Sequence, residues 1–374
     1  MRVLAAIAGA ALLLGTLLDV FENIILPKRM QSRFQLTAVF YRWSWKPWAA
    51  LGRRIAQGRR RERFLSFYGP LSLLILFALW ALALVVAFGL LQWSAGLRPA
   101  PAGSSVAEDF FFSSTSFFNL LSPPAHTAPS RSLMMLESAI GFGFLGLLIS
   151  YLPVLYQSFS RREVGISMLD ARAGSPATAA ALLVRQGRNL PKLDRLLEHW
   201  EEWSAQVLET HLSYPVLAYF RSHHNNQSWL ASLTAVLDAS ALLSLADDNQ
   251  TLEQAQLTFA MARHAVVDLT TVFNALPRAP SQDRLPDPAR DRLLDWLRQG
   301  RVPLRFPFAR LEKLRELRAM YEPYAHALEE HFLTALPPWI PEKMVDNWRS
   351  TDWGRESTPA ASSDPFHSGS GEAA

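Results

Sequence analysis

The side chains able to do chemistry in this chain are few and widely spaced. There is no cysteine, which excludes a thiolate nucleophile, a disulfide and a Cys-ligated metal. His264 and Asp268 fall on one helix face, four residues apart. That spacing suits a metal or an ordinary charged pair. His223-His224 is a second candidate. Neither places a third ligand, as a metal site needs, so no metal is assigned. No Ser/His/Asp constellation and no phosphate loop is visible. The chain is not read as an enzyme, and no catalytic residue or cofactor is assigned. Asp19 and Glu22 lie three apart in an apolar run. Such acids are candidates for an ion or proton site, or pair with Lys28, Arg29 or a neighbouring subunit. Gly141, Gly143 and Gly146 spell the G-x-G-x-x-G string, but no strand precedes it and apolar sequence surrounds it, so it is no nucleotide fingerprint.

The remaining chemistry belongs to backbone. Glu108 to Phe118 reads as a short aromatic helix, Asn119 to Pro129 as an irregular turn, and Leu133 to Tyr156 as a long apolar helix. A second apolar helix, Gly69 to Trp93, lies upstream. Non-helical backbone at membrane depth is tolerated only where protein or a water-filled cavity surrounds it. Glu108 and Asp109 complement the positive start of the short helix. Its negative end aims near Phe118 to Leu120, which favours cations. Small residues in the following helix permit close packing or bending, and Pro153 should kink its inner end. Glu137 is expected to bond behind the short helix.

The elements that position this stretch are legible in charge and hydropathy. The 374 residues are 49% hydrophobic, but the long apolar runs crowd into the first 160 or so. Val3 to Leu26 is long enough to cross a ~30 Å hydrocarbon core and too long for a signal-peptide core. The segment after it carries Lys28, Arg29, Arg33, Arg42, Lys46, Arg53, Arg54 and further arginines to Arg63, against one acid, Glu62. That bias predicts a cytoplasmic linker. Interleaved Phe34, Phe40, Tyr41, Trp43, Trp45 and Trp48 predict an amphipathic helix on the inner leaflet, drawn to anionic lipids. The flanking spans disfavour nucleic acid as its partner. The loop from Ser94 to Ser132 is poor in charge, as expected outside, with a flexible turret near Arg98 to Ser105. Arg161 and Arg162 close the third span on the inside.

Downstream, apolar residues recur at three and four spacing in Leu182–Gln186, Leu193–His211, Tyr214–Ser222, Ser228–Ala246, Leu252–Leu276, Pro288–Arg298 and Phe308–Leu336. They predict a helical bundle. No Gly-rich strand-to-helix turn marks a Rossmann-type ligand-sensing domain. The tail from Thr351 is rich in Ser, Pro, Gly and Ala and is expected to be disordered.

From Phe64 to Glu163 the chain resembles the two-helix pore module of the potassium-channel family in its bacterial form. Asp109-Phe-Phe-Phe-Ser-Ser-Thr-Ser-Phe-Phe118 matches its pore helix, Pro129 the end of its filter loop, and Gly141-Phe-Gly-Phe-Leu-Gly146 its inner helix. Tyr151 to Glu163 fits the wider pattern. The resemblance implies a homotetrameric pore for monovalent cations. It places Thr115, Ser116, Phe117, Phe118, Asn119, Leu120, Leu121, Ser122, Pro123 and Pro124 at the filter, with Gly141, Gly143, Gly146 and Pro153 as gating elements. The family filter is a Thr-x-Gly-Tyr/Phe-Gly-Asp run whose carbonyls replace the ion's hydration shell. Here the aligned run is Asn119-Leu-Leu-Ser-Pro-Pro124, without glycine and with two fixed φ angles.

The expected fold is an all-α membrane protein with three transmembrane helices, a re-entrant pore helix and loop, and a cytosolic α-helical domain. Residues 1–26 form the first span, 27–64 the basic linker, 65–160 the pore module, 161–350 the cytosolic domain and 351–374 the tail. The expected location is a bacterial inner membrane, with the N-terminus outside and the C-terminus in the cytoplasm. The expected function is passive cation conduction with weak or altered potassium selectivity. The alternative is a non-conducting membrane scaffold or sensor that acts through its helical domain.

Overall fold

The computed structural model describes residues 1–26, 36–95, 106–120, 128–224, 226–246, 249–279, 282–306 and 308–342. Leu121, Ser122, Pro123, Pro124, the predicted turret and the tail lie outside them. The described residues are helical, without strands. Three helices are long and apolar enough to cross a membrane. They are α1 (Arg2–Ile24), α4 (Tyr68–Ala95) and α6 (Ala128–Ala173). Between them lie α2 (Leu36–Arg54), α3 (Arg59–Ser66) and the short α5 (Val106–Phe117). Beyond α6 come α7 (Ala179–Gln186), α8 (Leu190–Ser213), α9 (Trp229–Leu243), α10 (Asn249–Val272), α11 (Asp287–Gln299), α12 (Phe308–Ala319) and α13 (Glu322–Phe332).

Two apolar cores hold these elements. In the first, Val20 of α1, Leu73, Leu76, Phe77, Trp80 and Leu84 of α4, and Phe144, Leu155 and Phe159 of α6 pack together, with Phe117 at the end of α5. In the second, α9 is the axis. It is apolar all round apart from small hydroxyls and Asp238, and each of its fifteen residues is buried. A helix with no polar face must be wrapped on every side, and α7, α8, α10, α12 and α13 all contact it. Its start is fixed by Ser228, whose hydroxyl accepts from the Ala231 N–H at 3.0 Å. Thr178 and Asn189 cap α7 and α8 in the same way, each satisfying a donor that has no partner in the first helical turn.

The second core extends into the basic segment. Trp45, Ala49, Leu65 and Tyr68 belong to it. Trp45 donates to the His331 carbonyl at 2.9 Å, Trp48 stacks on Phe64 at 4.6 Å, and Glu62 lies 3.6 Å from Arg221. The linker, expected as one amphipathic helix on the inner leaflet, forms two helices, and of its described rings Phe40, Tyr41, Trp45 and Trp48 make tertiary contacts, while Trp43 remains exposed.

Three other expectations change. Tyr214–Ser222 holds a single 3₁₀ turn, Pro215–Tyr219, because Pro215 cannot donate into a continuing helix. Phe308–Leu336 divides into α12 and α13, with Pro323 in the first turn of the second helix, a position that proline favours. The third apolar helix does not stop near Tyr156. It continues through Pro153 to Ala173, about 69 Å at 1.5 Å per residue, and Phe159, Ile166 and Leu169 on it are buried.

Candidate functional site

Buried Phe112 and half-buried Phe110, which lies against Gly89 of α4, seat α5 beside α4 and α6, while Phe111 is exposed, and two polar contacts set its depth. Ser113 Oγ lies within hydrogen-bond reach of the Val85 carbonyl of α4 at 2.8 Å and of Glu137 Oε1 of α6, its single hydrogen serving one acceptor at a time. The other Glu137 oxygen accepts from Gln92 Nε2 at 2.8 Å. Glu137 is fully buried. A carboxylate hidden from water is costly unless hydrogen-bonded, and its two oxygens here join α4, α5 and α6. The expectation that Glu137 bonds behind the short helix matches this placement.

The end of α5 is held as tightly. Ser138 Oγ donates to the Ser116 carbonyl at 2.9 Å. Gly141 lies against the same turn, where an added Cβ would come 2.0 Å from the Phe117 carbonyl oxygen. Only glycine permits that approach. The helix then closes with a Schellman cap. Asn119 takes a left-handed conformation at φ 54, its N–H donates to the Ser116 carbonyl, and the Leu120 N–H donates to the Thr115 carbonyl at 2.8 Å.

These contacts sort the residues assigned to the filter. Thr115, Ser116 and Phe117 belong to the last turn of α5. Phe118, Asn119 and Leu120 leave the helix and are exposed. The gating candidates separate too. Gly141 is a packing residue. Gly143 and Gly146 have no atom within 4 Å of an added Cβ, and with Pro153 they lie on the exposed face of α6. Phe142, Ile149 and Tyr156 share that exposure.

A second constellation, missed in the sequence, joins α6 to the helical bundle. Arg162 is 3% exposed. Its guanidinium donates to Glu163 Oε1 at 2.9 Å and to the carbonyls of Leu217 and Phe220 at 2.8 Å. Ser222 Oγ donates to the same carboxylate oxygen at 3.1 Å. His211 faces Arg162 Nη1 across 3.4 Å, while its Nδ1 lies 2.6 Å from the Val207 carbonyl. A carbonyl only accepts, so Nδ1 carries the proton and Nε2 presents a lone pair to arginine. Burial, aided by the Arg162 charge, pushes the imidazole down to about 3. At Gly165 a Cβ would meet Trp203 Nε1 at 2.1 Å, so α6 and α8 lie in close contact.

Asp19 is a third buried acid. It accepts from Thr37 Oγ1 at 2.7 Å and Trp80 Nε1 at 2.8 Å, and so ties α1 to α2 and α4. The metal candidates are unremarkable: His264 Nε2 lies 3.3 Å from Asp268 Oδ2 on an open surface, and His223 packs edge-on to Phe159. No cluster of three or more His, Cys, Asp or Glu suited to a metal occurs among the described residues.

Comparison with protein-family models, curated proteins and solved structures found no match to this chain.

Proposed function

We propose that this chain is the subunit of a pore-loop cation channel of the potassium-channel type, conducting passively as a homotetramer, with weak or altered potassium selectivity. The observation that supports it best is the placement of α5. It lies beside Val85 of α4 and Glu137 to Phe144 of α6, and ends where Gly141 admits it. Its carbonyl end, which carries partial negative charge, would then face the membrane interior. Phe118, Asn119 and Leu120 begin the loop that would meet its copies around an axis. The exposed face of α6, with Gly143, Gly146 and Pro153, would line the cavity. The membrane is a bacterial inner membrane, with the N-terminus outside and the helical bundle in the cytoplasm, in keeping with the arginine-rich segment after α1.

The second reading, a non-conducting scaffold or sensor that acts through its helical bundle, draws on the glycine-free Leu120-Leu-Ser-Pro-Pro124 run and on the Arg162 junction. Planar-bilayer recording of the purified protein, with potassium and sodium opposed, separates the two. Cation currents with little preference between the two ions support the first reading. A reversal potential at the potassium value removes the claim of altered selectivity. Silence from a folded tetramer under varied voltage, pH and lipid favours the scaffold.

A further inference from the structure

A cavity of about 1440 Å³ is lined by α1, α2, α4, α6 and the bundle. It exceeds the ~300–1,000 Å³ of small-molecule sites, and its lining is of two kinds. Leu73, Leu76, Phe77 and Trp80 of α4 and Ile24 of α1 supply apolar surface. Arg42, Lys46 and Arg53 of α2 supply positive charge. They sit four and seven residues apart, on one face of the helix. All three are exposed, and none makes an ion pair among the described residues. Asp268 is the one acid among the lining residues, and it is engaged by His264. The ring cluster of Tyr41, Trp45, Tyr219 and His331 also lines the cavity.

We infer that this cavity is a binding site for an anionic phospholipid. The phosphate would sit among Arg42, Lys46 and Arg53, and an acyl chain would lie along Leu73, Leu76, Phe77 and Trp80. Charge complementarity selects an anionic headgroup, and the apolar wall on a helix able to span a membrane selects a lipid over a soluble anion. Because the site touches α2, α4, α6, α10 and α13 together, the lipid would bridge the apolar helices and the bundle. The inference rests on the membrane placement proposed above, not on conduction.

Native mass spectrometry of the full chain from mixed micelles of phosphatidylglycerol and phosphatidylcholine tests it. The expected result is a preference for retained phosphatidylglycerol on the order of ten-fold. It should be lost in R42Q/K46Q/R53Q, kept in R42K/R53K, and kept in R54Q/R59Q/R60Q, which removes equal charge from exposed positions outside the cavity. Equal loss in the last variant would mean diffuse attraction and overturn the site. So would no preference in the unmodified protein, or displacement of the lipid by free glycerol phosphate at matched concentration. If the triple variant fails to fold by circular dichroism, R42Q and K46Q singly carry the test, each expected to weaken the preference a few-fold. A silent bilayer recording leaves this readout intact, so failure of the channel reading and failure of the lipid site are distinguishable.

Discussion

Two apolar helices in this molecule meet opposite fates. α9 is fifteen residues long and wholly buried, while the most apolar stretch of α6 buries only 17% of its residues against 50% for the α4 span. Both are sequences that water would not tolerate on all sides. The helical bundle hides α9 within one chain. α6 covers one face with α5 and α4 and leaves Phe142, Ile149 and Tyr156 outward. An apolar helix that its own chain does not cover needs lipid or another copy around it. The bundle is therefore the self-sufficient part, and the α4–α6 unit is completed by its surroundings.

The strongest way to break this contrast is to attack α9 at its one charge. Asp238 is fully buried and lies 2.6 Å from Arg284 Nη2, with the Tyr321 hydroxyl donating to it. Arg284 also reaches Glu322 at 3.2 Å, and Arg318 joins the set through Glu322. Removing one partner strands the other without water. Asp238→Ala should cost about 3–5 kcal/mol, read as a fall in the thermal midpoint of the bundle by tryptophan fluorescence. A melt within a degree of the unmodified protein would show that the network is not what locates α9.

Acid should act on the same side of the comparison. Burial pushes His211 down to about 3 and His331 down to about 4, the latter helped by Arg53. The unfolded chain titrates its histidines near ~6.5, so between that pH and the folded values the unfolded state binds more protons. Stability contributed by neutral burial is thus present above ~6.5 and lost as pH falls. Each histidine should remove about 1.4 kcal/mol per pH unit below ~6.5, or about 4 kcal/mol for the two together by pH ~5. His211→Gln should flatten that slope by about half. An unchanged slope in the variant would place the acid response elsewhere.

How far this contrast could be read from the sequence depends on the reach of each interaction. The three apolar helices and the bundle helices follow from local periodicity and composition, whereas the position of Glu137 behind α5 comes with the resemblance to a pore module. The acceptors of Arg162 are carbonyls at Leu217 and Phe220, and a carbonyl leaves no mark on the residue that bears it. Arg162 therefore reads only as a charge that closes a span, and its part in anchoring the continuing helix to the bundle is not visible in the sequence. The partners of Asp19 sit 18 and 61 residues away on two other helices, so only its oddity within an apolar run was visible. Asp238, an acid inside Trp229–Leu243, carried the same signal and could have been found by it. Thr115 to Phe117 read in the sequence both as the end of the short helix and as filter, and they are the helix's last turn, closed by Asn119 in the left-handed conformation. That closure yields to backbone capping logic and not to the pattern of side chains.

The smallest expected effects are the most informative, because they separate glycines of one motif. Gly141→Ala would drive a methyl group into the Phe117 carbonyl, which α5 cannot yield without losing the Ser138 and Ser113 contacts. Overpacking of this kind costs about 1–3 kcal/mol. Gly143→Ala enters open space and should raise helix propensity instead, by up to ~1 kcal/mol. The thermal melt of the detergent-purified chain should therefore fall for the first and hold or rise for the second. Opposite signs at positions two residues apart would establish that one face of α6 is sealed within the chain and the other open. If Gly143→Ala also destabilises, and does so only at concentrations where light scattering reports an assembly, then copies of this chain occupy the open face and the glycine serves their contact. Loss at every concentration would instead mean that the face is already covered within one chain, which would remove the contrast with α9.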